Sequence, residues 1–212
     1  MARVQYLTGS EFGSGVDGGF GVLQPHRDIE IRAPGRVQED GARGAATQWQ
    51  GTSRQLALIR IGEYALAQLW MSWGVTPRAL VGHSMGENTA ACLAGVMSFE
   101  DCIGLVLMRG RLFETLPDGG MLSVALPSED VRKLLQHPDF AKIDIAGVNA
   151  QQLTVVSGAV GCLGKLAHAL DRQEVSHQRI AINVAAHSRM LDPILDRFEA
   201  HLRTIKLSPP QI

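Results

Sequence analysis

Five residues constrain the fold of this chain more than any others: Gly82-His83-Ser84-Met85-Gly86. Before them, Ala79-Leu80-Val81 is a short apolar run with the character of a buried strand. After them, Asn88 to Val96 is small and apolar enough for a packed helix. Strand, G-x-S-x-G and helix in that order are the setting of a nucleophile elbow. A strand that turns at once into a helix brings two backbones together, so both flanking positions are expected to lack a Cβ. Such a turn holds the Ser84 Oγ at its apex, over the free N–H groups and positive dipole end of the helix, where a developing oxyanion is favoured. The competing reading is a chance match around a structural serine, and the flanking strand and helix weigh against it. The chemistry implied is that of an acyl-enzyme.

A chain of 212 residues allows one domain, or one domain with a small inserted lobe. A formal net charge of −1 leaves no basic field for nucleic acid and no polybasic patch for a membrane surface. Cys92, Cys102 and Cys162 are too few and too scattered for a disulfide framework, and Cys92 and Cys102 sit among apolar residues as core thiols would. No apolar run has the length of a membrane span, and the N-terminus carries no signal-peptide pattern, so the cytoplasm is the expected compartment.

Residues 1–47 are dense in glycine and charge and show no sustained periodicity after Tyr6-Leu7, which predicts an irregular or disordered extension. Gly13-Ser14-Gly15-Val16-Asp17-Gly18 matches G-x-G-x-x-G, and Val4 to Leu7 could precede it as a strand. Gly19-Phe20-Gly21 stands where the helix should begin, so the dinucleotide reading fails its context. From Thr52 a helix is expected, with Ser53 as cap, an apolar face from Leu56 to Trp70, and Gly74 as its stop. After the elbow helix, Ser98 with Asp101 caps a second helix that reaches Pro117. Asp118-Gly119-Gly120 then reads as a break. Beyond it come a strand (Met121 to Leu126), a helix (Ser128 to His137), two strands (Ile143 to Val148 and Leu153 to Ser157), a helix (Val160 to Gln173) and a strand (Gln178 to Val184). That is the ferredoxin-like order. The expected organisation is an extension over 1–47, a large lobe built from 48–118 and 185–212, and a ferredoxin-like small lobe over 119–184. A helix from Ser188 or Leu191 to about Ile205 returns the chain to the large lobe.

Seven histidines compete to serve Ser84 as base. His26 lies in the extension. His137, His168, His177 and His201 sit on polar faces, and His83 is expected to point away from its neighbour and support the turn. His187, in Asn183-Val184-Ala185-Ala186-His187-Ser188, lies where the small lobe hands the chain back, the kind of seam at which clefts form. It is either the general base or a surface histidine in a turn. Arg109 stands mid-helix in apolar company. A guanidinium so placed wants an anion, whether a bound carboxylate or a structural Asp or Glu.

Gly82-His83-Ser84-Met85-Gly86-Glu87, Arg109, Val148-Asn149-Ala150, Val155-Val156-Ser157-Gly158 and His187-Ser188, in that order, resemble the malonyl-CoA:acyl-carrier-protein transacylase family. The likeness is to acyltransferase domains of modular type I polyketide synthases and runs from about residue 48 to the C-terminus. It implies an α/β fold: a hydrolase-like parallel-sheet lobe with an inserted ferredoxin-like α+β small lobe. It also implies transfer of a malonyl-type acyl group from acyl-CoA to Ser84, then to the phosphopantetheine thiol of an acyl carrier protein, within a larger synthase. By the same resemblance Ser84 and His187 are catalytic. Arg109, His83, Met85, Val184, Ala186 and Asn149 bind substrate, and neither a metal nor a tightly bound cofactor is needed. Met85 resembles malonyl-type members, while Val184-Ala185-Ala186-His187 matches neither the malonyl nor the methylmalonyl pattern. The family's Gly-Gln-Gly-type loop, whose glutamine serves the oxyanion hole, has no match in residues 1–47. Its fold also continues past Pro209-Pro210. A catalytically inert synthase fragment is therefore one alternative. The other is an α/β-hydrolase or thioesterase using the same elbow with Asp139, Asp144 or Asp171 as its acid.

Overall fold

Phe12, Val16, Phe20 and Leu23 recur every three to four residues, and the structure turns that spacing into a helix, α1 (Ser10–Leu23), with all four side chains buried. Over residues 10–23 the expectation of an irregular segment is corrected; the rest of 1–47 lies outside the described residues. Two of the glycines that suggested a loop, Gly15 and Gly19, face a neighbouring helix, α2 (Thr52–Ser72), whose Ala57, Ile61, Ala65 and Leu69 form the matching stripe. A Cβ on Gly15 would lie 3.0 Å from Ala65 Cβ, and one on Gly19 only 2.6 Å from Ile61 Cγ2. Two helices meet this closely only where one of them lacks side chains. Gly13 to Gly18 lie inside α1, so the G-x-G-x-x-G match forms no phosphate loop. The computed structural model describes residues 10–23 and 52–212; the Val4 to Leu7 strand candidate and His26 lie outside them.

Gly19→Leu is expected to overpack this contact and destabilise the fold by about 1–3 kcal/mol. Gly18→Ala, where a Cβ would meet nothing within 4 Å, should be neutral or stabilising by up to ~1 kcal/mol through helix propensity. Thermal unfolding of the two variants side by side checks both signs.

The chain divides into two compact units, 1–114 with 198–212, and 115–197. In the first, α1 and α2 share a core with Ile103 and Leu107 of α4 (Phe99–Phe113), while α3 (Gly86–Leu93) follows the elbow. Ser98 caps α4 as expected, its Oγ accepting from Asp101 N–H at 3.0 Å. Ser53 does not cap α2 in the expected way. Its N–H and Oγ both donate to Glu114 Oε1, at 3.1 and 2.8 Å, so a carboxylate beyond the end of α4 satisfies the start of α2. Cys92 and Cys102 are buried free thiols. The C-terminal segment is tied back by Ser208 N–H to Val96 O and Gln211 N–H to Ala94 O.

The second unit contains the βαββαβ order: β1 (Gly119–Val124), α5 (Ser128–Leu135), β2 (Ile143–Ala150), β3 (Leu153–Ala159), α6 (Val160–Arg172) and β4 (His177–Ile180). The sheet is antiparallel throughout, with spatial order β2-β3-β1-β4, the ferredoxin-like arrangement. Leu122, Val124 and Val156 from the sheet meet Val131 of α5 and Leu163, Leu166 and Leu170 of α6 in one core. Gly119 and Gly120, read as a break, begin β1 instead. A Cβ on Gly119 would lie 2.5 Å from Ala185 N, so the strand can start only with glycine there.

Three further expectations change. β4 ends at Ile180, and the segment after it stays with the second unit as far as Arg197, so 185–197 belong there and not to the large lobe. The single helix expected from Ser188 or Leu191 to Ile205 is a 3₁₀ turn, Arg189–Ile194, followed by α7 (Leu195–Leu202). Pro193 removes an N–H donor, and the tighter turn accommodates that loss. Third, Ala79 to Val81 forms no strand among the described residues, and Val81 is 95% exposed. The only sheet among the described residues is the antiparallel one, so the parallel sheet expected around the elbow has no counterpart there.

Candidate active site

Ser84 has φ +54°, the left-handed region that a residue with a Cβ enters only when its surroundings impose it. Three backbone bonds close the turn around it: Gly86 N–H to His83 O, Glu87 N–H to Ser84 O and Asn88 N–H to Met85 O, at 3.0, 3.1 and 3.1 Å. Gly82 is indispensable, since a Cβ there would lie 2.1 Å from Glu87 N and 2.3 Å from Gly86 C. Gly86 is not, because a Cβ on it would meet nothing within 4 Å. The crowding of an elbow therefore falls on the side before the serine, and the expectation for both glycines is corrected to one. Glu87 reinforces the bend, its Oε1 accepting from Gly82 N–H at 3.1 Å.

The elbow borders a cleft of about 480 Å³, lined among others by His83, Ser84, Met85, Arg60, Glu63 and Thr89. His83, expected to turn away, lines the same cleft as the serine. Arg109 is half-buried on α4. Its Nη1 donates to Met85 Sδ at 2.6 Å, and its guanidinium lies 5.0 Å from the centroid of the Phe198 ring, a cation–π contact. No carboxylate among the described residues pairs with it. Burial, and then the nearby Arg60 cation, holds the Arg109 guanidinium below its usual range. A bound anion would relieve both effects.

Arg60 escaped the sequence reading altogether. It interrupts the apolar run Leu58-Ile59-Arg60-Ile61, and a charge in that position was the available signal. It is 5% exposed.

In the second unit, His187 also has φ +57° and is exposed. The residues after it are pinned. Ser188 Oγ donates to Ala185 O at 2.7 Å and accepts from Met190 N–H at 3.2 Å. Arg189 is held by Asp144 through its backbone N–H (2.9 Å) and through Nε and Nη2. Val184 and Ala185 are buried, Ala186 is half-buried, and Asn149 is exposed on β2. The carboxylates that a hydrolase would use are engaged elsewhere: Asp144 by Arg189, Asp139 near Lys165 and His137, and Asp171 near His177. His177 is less solvated than its polar neighbours suggested, with 16% of its side chain exposed and Nδ1 against Val175 O.

The Arg189 hydrogen bonds hold the Asp144 carboxyl below the usual carboxylate range, against a smaller opposing effect of burial. A carboxyl depressed on folding stabilises fully above its unfolded value near 3.9 and loses that contribution as pH falls through the lower folded value. The melting-temperature gap between wild type and Asp144→Asn is therefore expected to be constant from pH 7 to about 5 and to close below about pH 4. Thermal melts across that range check the sign.

An α/β chain with a left-handed serine on an elbow that needs Gly82, a cleft beside it and a ferredoxin-like unit after it fits an acyl-transfer domain. The acyl transferase domain family profile matches residues 43–212. The chain belongs to that family. It is 38% identical over 159 residues to polyketide synthase GfsB of Streptomyces halstedii, covering 74% of this chain and 3% of that protein. Among solved structures it resembles the acyl transferase domain of ZmaA, with a TM-score of 0.87, 32% identity, and coverage of 100% of this chain and 48% of that one. It also resembles the acyl transferase domain of SpnD in complex with 2-(pent-4-yn-1-yl)malonyl, with a TM-score of 0.81, 35% identity, and coverage of 96% and 47%. The chain thus spans about half the length of these solved domains and a small fraction of the synthases.

Proposed function

We propose that this chain transfers a malonyl-type acyl group from coenzyme A to the phosphopantetheine thiol of an acyl carrier protein, in the cytoplasm, as part of polyketide assembly. The observation that carries the reading is Arg109, a half-buried guanidinium without a carboxylate partner among the described residues, in contact with the side chain next to Ser84. Its fork suits the free carboxylate of a malonyl group, and its contact with Met85, the residue after Ser84, supports that reading. The malonyl compound bound by the SpnD domain supports the same class of substrate.

In the proposed cycle, Ser84 Oγ attacks the thioester carbonyl carbon as His187 takes its proton. The Met85 N–H, following the nucleophile, donates to the oxyanion. The C–S bond breaks, and the coenzyme A sulfur leaves with the proton from His187. The carrier thiol then gives its proton to His187 and attacks the seryl ester. Ser84 Oγ departs and recovers that proton. His83, Met85, Asn149, Val184 and Ala186 are the residues proposed to shape the acyl site, with small Ala185 and Ala186 leaving room for branching. Among the described residues no helix is long and apolar enough to cross a membrane.

The test is intact-protein mass after separate incubation with malonyl-, methylmalonyl- and acetyl-CoA. The reading expects a malonyl-sized adduct that a carrier-protein thiol removes. A folded sample that takes no adduct from any of the three overturns it.

A further inference from the structure

Arg60 is 5% exposed, yet it carries a full charge into the wall of the cleft that holds Ser84. Its Nη1 donates to Met85 O at 2.7 Å and to Thr89 Oγ1 at 2.8 Å, and its Nη2 to Glu63 Oε1 at 2.6 Å. Thr89 Oγ1 closes the ring by donating to Glu63 Oε2 at 2.7 Å. The Arg60 Nε is buried with no hydrogen-bond partner among the described residues. Only the Arg60 half of this ion pair is buried, the Glu63 side chain being 40% exposed, and such a part-solvated pair with a donor left over is a weak source of stability. What this ring does have is a definite target. Met85 O also accepts from the Asn88 backbone N–H at 3.1 Å and from Asn88 Nδ2 at 3.2 Å, but the Arg60 bond is the shortest and is charge-assisted.

Met85 follows a serine held at φ +54°, and strain of this kind persists only where several contacts determine it together. Gly82 and Glu87 secure the turn by a bond across it, from the Gly82 N–H to the Glu87 carboxylate. Arg60 secures it from α2, by fixing the carbonyl of the residue whose own N–H faces the acyl oxygen in the proposed cycle.

We infer that Arg60, locked by Glu63 and Thr89, is a positioning residue for Ser84 acylation: by holding the Met85 carbonyl it anchors the backbone one peptide plane beyond the Met85 N–H, without touching the substrate. This inference rests on the acyl-transfer reading of the site. It predicts a defect in the rate of acylation and little change in the binding of acyl-CoA, because the oxyanion exists only in the transition state.

Arg60→Met alone leaves the part-exposed Glu63 carboxylate with Thr89 but without its cation, so the decisive variant is Arg60→Met combined with Glu63→Gln, which removes both charges. Two reactions are measured: acylation by malonyl-CoA, and labelling by a fluorophosphonate probe, in which Ser84 Oγ displaces fluoride and which needs no coenzyme A site. The double variant is expected to melt near wild type and to keep its malonyl-CoA KM within about twofold. Its rate constants in both reactions should fall on the order of 10²-fold, the scale of a displaced catalytic group. A double variant that reacts at the wild-type rate with the probe overturns the inference. If wild type takes the probe but not malonyl-CoA, the acyl-transfer reading fails, and the ratio of probe rates still decides the role of Arg60. A wild type inert to both overturns the two together.

Discussion

Ser84→Ala is expected to abolish the acyl adduct outright. The rate of loading should fall by ~10⁶, the scale seen when a serine nucleophile is removed from its base and oxyanion donors, so a malonyl-sized mass increment disappears within any practical incubation. The fold should be unaffected. The turn is built from Gly82, the His83 and Met85 carbonyls and Glu87, and none of these uses the serine side chain. Coincident circular dichroism of the two proteins, with adduct on one only, is the expected pair of results. His187→Gln in the same experiment should slow loading by ~10²–10⁴, the contribution of a general base, without removing it. An adduct that survives Ser84→Ala would place the acyl group elsewhere and end the elbow reading.

Arg109→Ala is the second large effect, and it separates transfer of carboxylated acyl groups from simple ester chemistry. A charge-assisted hydrogen bond to a carboxylate contributes about 1.5–3 kcal/mol, so malonyl loading should fall about 10- to 150-fold. Acetyl loading has no carboxylate to lose and should hold or improve. The effect has a structural basis beyond charge, since the guanidinium also packs on Phe198 and on Met85 Sδ, and its removal opens space beside the nucleophile. Single-turnover loading with the two thioesters gives the ratio directly. If malonyl loading were intact and neutral esters were cleaved quickly, the hydrolase alternative would gain the ground.

The elbow was legible because its requirements are local. A serine between glycines, after an apolar run and before a small-residue helix, carries its chemistry within a dozen residues. The ferredoxin-like unit was legible for a related reason: alternation in the strands and helical spacing at Val131, Leu163, Leu166 and Leu170 are short-range patterns set by one shared core. Arg109 was found because a charge in apolar company demands an explanation. Arg60 satisfied the same criterion and was passed over, because its partners Met85 and Thr89 lie 25 and 29 residues away and no local motif joins them.

α1 was misread because a glycine-rich stretch and a close-packed helix have similar composition. What separates them is whether another helix stands 3 Å from the missing Cβ, and Ala65 and Ile61 are more than forty residues downstream. The second unit was read as ending at residue 184 because β4 was extended to its last apolar residue. The Asp144–Arg189 pair, spanning 45 residues, draws the following segment into that unit instead.

By itself the sequence singled out Ser84, Arg109 and His187 as candidates and gave the βαββαβ order of the second unit, since each depends on residue identity and short-range period. Only the tertiary structure decided which glycine the elbow needs, that the glycine-rich Ser10–Leu23 is a packed helix, and which buried cation grips the Met85 carbonyl. Those depend on distances between residues remote in the chain, and such distances exist only once the backbone has closed on itself.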